Sequence, residues 1–312
     1  TFGNDKFDST QVADAVYGAI KAGYRLFDGA AAYGNEKEIG KVYARAFEEG
    51  IVQRKDMTIM TKVWNNMHKQ GDVLVSCAKS LRDLKLDYVD IYMVHWPFPN
   101  HHEQGAKLEG RDPNHVPFCL EEYMTTWRQM EKLVDMGLVR GIGMSNVTIT
   151  KMEQILPLCR IKPVVLEVEI NPTFQQPKLF EYCKAHDILP IAYSPLGSPC
   201  RPKRDTAPGD LVTFEMPELV EIAKAHNCHP ATICVKWAVQ RGQVPIPFSV
   251  FENEYVGNLK CTTEDFLIDE EMERLRKADR NFRLLKGQVF LWESAKDWRD
   301  IWDGEDAWNV EE

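Results

Sequence analysis

Tyr24-Arg25-Leu26-Phe27-Asp28-Gly29-Ala30-Ala31-Ala32-Tyr33-Gly34-Asn35-Glu36 is the stretch on which the rest of the chain is organised. Residues 25–30 read as a short strand, and Gly34-Asn35-Glu36 opens a helix. Asp28 falls near the strand end and Tyr33 in the loop beyond it. A carboxylate and a phenol on one strand-to-helix loop can form half of a proton-transfer site. The other half has to come from neighbouring strand ends, and two candidates follow. Lys62 ends the run Met57-Thr58-Ile59-Met60-Thr61-Lys62, and His95 ends Tyr88-Val89-Asp90-Ile91-Tyr92-Met93-Val94-His95 ahead of Trp96-Pro97. An ionisable group at the C-terminal end of a barrel strand reads as functional more often than structural.

Outward from these strands, helical spacing and caps predict helices over 9–22, 36–49, 73–84, 120–136, 148–156, 177–186, 215–226, 230–240, 252–259 and 269–278. Further strands are expected over 141–146, 164–170, 189–195 and 245–249. Strands alternating with helices predict a parallel sheet closed as a barrel in one domain, with long loops at 97–117 and 198–213 and a tail at 281–312. Seven strands are countable, whereas a (β/α)8 barrel has eight. No GxGxxG fingerprint follows a strand, so a doubly wound nucleotide domain is not supported.

Asp28 with Tyr33, then Lys62, then His95 before Trp-Pro, resemble the catalytic tetrad of the aldo-keto reductases. Val139-Arg140-Gly141-Ile142-Gly143-Met144-Ser145-Asn146 and Ala192-Tyr193-Ser194-Pro195-Leu196-Gly197-Ser198 are similar to two further motifs of that family. The resemblance runs in order along nearly the whole chain and is closest to the aldose/xylose-reductase branch. It implies a (β/α)8 TIM barrel. Thr1-Phe2 resembles the turn after the family's first strand, so that strand is expected ahead of Thr1. It also implies an NAD(P)-dependent oxidoreductase that reduces an aldehyde or aldose reversibly. Tyr33 is the implied proton donor, Lys62 tunes it, Asp28 pairs with Lys62 and His95 orients the carbonyl. Carbonyl reduction needs such help, because a phenol with a pKa near ~10 is a poor acid at neutral pH and a nearby ammonium lowers that value. Phe2, Trp64 and Trp96 are the implied apolar walls of the substrate pocket. Ser145, Asn146 and Glu167 are implied at the nicotinamide carboxamide, and Tyr193 stacks on the ring. Ser194, Leu196 and Ser198 lie along the pyrophosphate, and Phe248, Ser249, Glu254 and Asn258 lie toward the adenosine.

Four positions depart from the family pattern. Phe248 stands in the place of a lysine, and Glu254 in the place of an arginine, both of which contact the adenosine 2′-phosphate of NADP. Cys200 replaces an aspartate that closes a loop over the cofactor. A carboxylate repels a 2′-phosphate and accepts hydrogen bonds from ribose hydroxyls. NAD(H) is therefore the expected cofactor, with NADP(H) the alternative if Arg201, Lys203 or Arg204 holds the phosphate. Glu167 stands where glutamine is usual.

Composition narrows the partners. The 312 residues are 44% hydrophobic, with 38 basic against 47 acidic side chains and a net charge of −9. Nucleic acid is not the expected partner, because phosphate binding needs a basic surface. No apolar run reaches the ~18–20 residues of a membrane helix, and no signal peptide is visible. Eight cysteines without a CxxC pair read as reduced thiols of a cytoplasmic protein. No His/Asp/Glu cluster at strand ends has metal-ligand spacing, which argues against a metal-dependent isomerase on the same barrel. The expected partner is a small carbonyl or sugar, which His101, His102, Lys107, Arg111, Arg201 or Arg204 would recognise, bound by a monomer or homodimer. The competing readings are an NADPH-dependent reductase of a ketone or sugar acid and a non-catalytic, cofactor-sensing barrel.

Overall fold

Local signals set the element ends. The Asp8 carboxylate accepts the N–H groups of Thr10 and Gln11, the Gln11 side chain accepts the Asp8 N–H in return, and Gly23 closes the helix in the left-handed region at φ 112°. This capping box holds α1, Ser9–Ala22, as predicted. The computed structural model describes residues 7–99, 115–198, 201 and 205–306. After α1 come β1 (Leu26–Asp28), α2 (Glu36–Glu48), β2 (Thr58–Val63), α3 (Asp72–Leu84) and β3 (Val89–Val94). Then follow α4 (Leu120–Asp135), β4 (Val139–Ser145), α5 (Ile149–Ile155), β5 (Val165–Glu169), α6 (Pro177–Ala185) and β6 (Leu189–Tyr193). The chain continues through α7 (Pro217–Ala225), α8 (Pro230–Arg241), β7 (Val244–Pro245), α9 (Glu252–Lys260) and α10 (Asp269–Arg276).

The strands form one seven-stranded parallel sheet in chain order, β1 to β7. Both faces are apolar, as a parallel sheet requires. Phe27, Ile59, Val63, Tyr92, Val94, Ile142, Met144, Leu166, Val168 and Ala192 point outward into the helices. Met60, Met93, Val165, Ile191, Tyr193 and Ile246 pack on the inner side. At Gly143 the Val165 and Met93 side chains fill the space over β4: a Cβ there would lie 2.5 Å from Val165 Cγ2 and 2.9 Å from Met93 Cγ. Curled in this way, the sheet has the architecture of a (β/α)8 barrel.

One expectation changes. The strand expected over 245–249 is only Val244–Pro245, so Phe248 and Ser249 lie in the loop beyond it. Pro245 and Pro247 each lack a backbone N–H, which shortens the ladder with β6. Strands β1 and β7 do not pair with each other. A cavity of about 140 Å³ lies between them, lined by Leu26, Asp28, Ile246, Phe248, Tyr255 and Asn258. The strand expected ahead of Thr1 and the pocket residue Phe2 lie outside the described residues.

Candidate active site

Strand period 2 decides which side chains meet. On β1, Leu26 and Asp28 face inward while Phe27 faces the helices; on β2, Met60 and Lys62 alternate with Ile59, Thr61 and Val63. The register pairs Asp28 with Met60, Lys62 with Met93 and Ser145 with Glu167, so the inward positions line up at one end of the sheet. Asp28, Lys62, Glu167 and Tyr193 therefore converge with His95, the residue after β3, at the C-terminal ends of the strands.

Lys62 is the centre. Its ammonium donates to Asp28 Oδ1 at 2.5 Å and to the Gly29 carbonyl at 3.0 Å, and it lies 3.2 Å from Glu167 Oε2. The Lys62, Asp28 and Glu167 side chains are 0%, 1% and 3% exposed. Lys62 also stands 5.5 Å from the centroid of the Tyr33 ring. The His95 ring meets Tyr33 edge-on at 5.9 Å and Trp64 at 5.1 Å. Asn146 adopts left-handed backbone at φ 58° and donates to the His95 carbonyl at 3.0 Å, while the Tyr193 hydroxyl donates to Asn146 Oδ1 at 2.7 Å. Lys62 thus ties the ends of β1, β2 and β5 together, and Asn146 ties those of β3, β4 and β6.

The electrostatics assign protonation states. Burial opposes the Lys62 charge, but the attraction of Asp28 and then Glu167 outweighs it, so its pKa is raised and it stays an ammonium. Burial raises the Tyr33 phenol above its usual value; Lys62 pulls it down and Asp28 and Glu167 push it up. The ammonium acts as expected, yet burial wins, and Tyr33 carries its proton at neutral pH. Burial, then the Lys62 charge, then His68 hold His95 far below the usual imidazole range, so it is neutral. Burial, then the Asp28 charge, raise Glu167 to about 8 against the pull of Lys62.

An aromatic wall closes one side of this cluster. Trp96 packs on Phe290 at 4.4 Å and on Trp302 at 5.7 Å, and Trp64 meets Phe290 at 6.1 Å. Phe98 joins the same cluster. Trp64 and Trp96 were expected here; Phe98 and Phe290 were not singled out, because an isolated phenylalanine in a loop carries no periodic signal. Buried polar ties hold the tail in place. Glu169 accepts the N–H groups of Leu284 and Leu285, both at 2.8 Å. Arg283 pairs with both carboxylate oxygens of Asp306, at 2.8 and 2.7 Å, and lies 3.5 Å over the Trp302 ring. Glu305 accepts the Ile149 and Thr150 N–H groups at the start of α5, and Asp303 pairs with Lys151 at 2.5 Å.

The residues expected to hold a dinucleotide fit one by position and backbone shape. Ser145 and Tyr193 end β4 and β6, with Asn146 just after β4, beside the Lys62 cluster. The loop after β6 turns through left-handed backbone at Ser194 (φ 49°), Gly197 (φ 80°) and Ser198 (φ 39°), a shape that gathers N–H groups on one side and suits an anion. A Cβ on Gly197 would strike Thr213 Oγ1 at 2.1 Å, so the turn requires glycine. Ser249 donates to Glu254 at 2.6 Å, Phe248 packs on Phe7 at 5.9 Å, and Asn258 lines the same groove. Arg201 donates to Asp210 at 2.5 Å and is committed to that pair. His101, His102, Lys107, Arg111, Cys200, Lys203 and Arg204 lie outside the described residues.

The chain has counterparts among known proteins. The model of the aldo/keto reductase family matches residues 1–280. The NADPH-dependent aldose reductase of Saccharomyces cerevisiae is 36% identical over 293 residues, covering 89% of each chain. The NAD(P)H-dependent D-xylose reductase of Pachysolen tannophilus is 40% identical over 282 residues, covering 87% of each. The crystal structure of a Bombyx mori aldo-keto reductase in complex with NADP superposes with a TM-score of 0.79 at 30% identity, covering 90% of this chain and 86% of that one.

Proposed function

This chain belongs to the aldo/keto reductase family, and from that premise we propose a reversible carbonyl reductase of aldehydes or aldose sugars in which Tyr33 is the proton donor and NAD(H) the preferred cofactor. The observation that carries the reading is the fully buried Lys62 ammonium, held by Asp28 and set against the Tyr33 ring. Lysine is almost never fully buried unless paired, and the pairing here places its charge beside a phenol at a strand-end mouth.

A nicotinamide dinucleotide held by Ser145, Asn146, Tyr193 and the 194–198 loop would supply a hydride in reduction and take one in oxidation. The protein's residues handle the proton. Neutral His95 donates an N–H to the carbonyl oxygen and orients it without adding a second cation beside Lys62. Tyr33 passes its hydroxyl proton to that oxygen as charge develops, leaving a phenolate. Lys62 stabilises the phenolate, and Asp28 keeps the lysine charged and aimed. In oxidation the Tyr33 phenolate takes the alcohol proton back. Trp64, Trp96, Phe290 and Trp302 exclude water from the reacting carbon, which strengthens each of these charge interactions.

Cofactor preference follows from the groove beyond β7. Phe248 offers no charge to a 2′-phosphate, and the Glu254 carboxylate, presented by Ser249, repels one. Arg201 is already paired with Asp210, which weighs against its serving as the missing cation. Titrating NADH and NADPH into the protein while following tryptophan quenching tests this. NADH is expected to bind at least about tenfold tighter, a difference of about 1.4 kcal/mol. Tighter NADPH binding overturns the preference, and binding of neither removes the hydride source and with it the whole reading.

A further inference from the structure

The chain carries two buried carboxylates against one buried ammonium. The sheet register points Glu167 inward on β5, beside Ser145 of β4, and brings its Oε2 within 3.2 Å of Lys62 Nζ. Asp28 holds the same ammonium from β1 at 2.5 Å. If all three groups were ionised, the cluster would carry one net negative charge in a space closed to water, an arrangement burial strongly disfavours. The hydrogen bonds agree. Asp28 Oδ2 and Glu167 Oε2 are both buried without a hydrogen-bond partner among the described residues; Glu167 meets Lys62 at ion-pair distance but off hydrogen-bond geometry. Two adjacent carboxyl groups with orphan oxygens are a place where one retained proton relieves both repulsion and desolvation.

We propose that Glu167 is a positioning residue that holds this proton in the working enzyme, and that losing it to solvent shuts down proton transfer at Tyr33 on the alkaline side. The inference rests on the reading of Tyr33 as the proton donor. The groups facing Glu167 are Asp28 of β1, Tyr33 of the following loop, Lys62 of β2, Ser145 of β4 with Asn146 just after it, and Tyr193 of β6. Lys62 is the one cation among them. With Glu167 neutral, the Lys62 charge is shared between Asp28 and the phenolate forming on Tyr33. With Glu167 ionised, a second anion competes for the same ammonium and faces the phenolate, so the proton is held more tightly on Tyr33. The raised Glu167 value of about 8 places the change at mildly alkaline pH. In this role Glu167 acts through Lys62 rather than on the nicotinamide carboxamide, the position its place in sequence suggested.

The test compares wild type with Glu167→Gln, which keeps the shape and removes the titration. The readout is the pH profile of kcat/KM for reduction of a simple aromatic aldehyde with saturating NADH or NADPH. Wild-type kcat/KM is expected to fall above about pH 8, approaching tenfold per pH unit, the slope of a single ionisation. In Glu167→Gln that limb is expected to disappear, whatever the height of its plateau. An unchanged alkaline limb overturns the proposal. So does a variant that loses cofactor affinity while keeping the limb, since that assigns Glu167 to the carboxamide. A second measurement needs neither turnover nor cofactor. Infrared difference spectra of wild type between about pH 6.5 and 9.5 are expected to show loss of a protonated carboxyl band that is absent from Glu167→Gln. Without that band the proposal fails even if the enzyme works; with it, and with no carbonyl reduction by either protein, the proposed function fails instead.

Discussion

Lys62 Nζ and Asp28 Oδ1 meet at 2.5 Å, on neighbouring strands, with side chains 0% and 1% exposed. Removing one member of such a pair leaves an uncompensated buried charge, at a cost of about 3–5 kcal/mol. Here the two removals are not equivalent. Lys62→Met leaves the Asp28 carboxylate without its cation, whereas in Asp28→Asn the loss of the Asp28 charge lets Glu167 ionise and pair with Lys62. Urea unfolding at neutral pH is expected to place Lys62→Met about 3–5 kcal/mol below wild type and Asp28→Asn well above it. Both are expected to lower kcat/KM, Lys62→Met by at least about 100-fold. Equal stability losses would show that Glu167 does not take over as counter-ion when the Asp28 charge is removed.

The tail over the barrel mouth hangs on Glu169. Glu169→Ala removes the acceptor of two N–H groups, Leu284 and Leu285, and leaves buried donors unpaired. Each such donor costs about 1–3 kcal/mol. The variant is expected to lose about 3 kcal/mol in urea unfolding, to be cut by protease in the 281–306 segment, and to show a raised KM for the carbonyl substrate. A substrate KM equal to wild type would detach the tail from the pocket.

Stability has a pH signature away from the site. His226, at the end of α7, is bound through Nδ1 to Asp265 at 2.7 Å and through Nε2 to Glu271 at 3.0 Å. Only the imidazolium donates from both nitrogens. Burial opposes that charge, but the bonds to Glu271 and Asp265 outweigh it and raise the pKa. A group whose folded-state pKa is raised contributes stability that is fully present below its unfolded value of about 6.5 and is lost as pH rises through the folded value. The Tm difference between wild type and His226→Gln is therefore expected to be largest near about pH 5.5 and to shrink toward about pH 9. A difference constant across that range would mean that the charge plays no part.

Much of this was readable from the chain because the signals were local. Asp8, Gln11 and Gly23 mark α1 to the residue, and the short apolar runs before Asp28, Lys62 and His95 give both the strands and the ends where the buried ionisable groups gather. What was not readable depends on contacts distant in sequence. Glu167 shows its oddity in sequence, but its partner is Lys62, 105 positions earlier (167 − 62), brought to it by the curl of the sheet across β3 and β4. Phe290 and the Glu169, Arg283 and Asp306 ties are side chains of an irregular tail, which has no period to betray which face is buried. The strand expected through Ser249 stopped at Pro245, because prolines interrupt the ladder that the apolar pattern suggested.

The most direct test of the central claim is Tyr33→Phe, which deletes one hydroxyl and keeps the ring that packs edge-on against His95. Reduction of a simple aldehyde and tryptophan quenching by NADH and NADPH should be measured on both proteins. Wild type is expected to turn over, and Tyr33→Phe to bind the same cofactor within about threefold while kcat falls about 10²–10⁴-fold, the range for losing a general acid. A variant that reduces the aldehyde as fast as wild type would contradict the assignment of the proton to Tyr33.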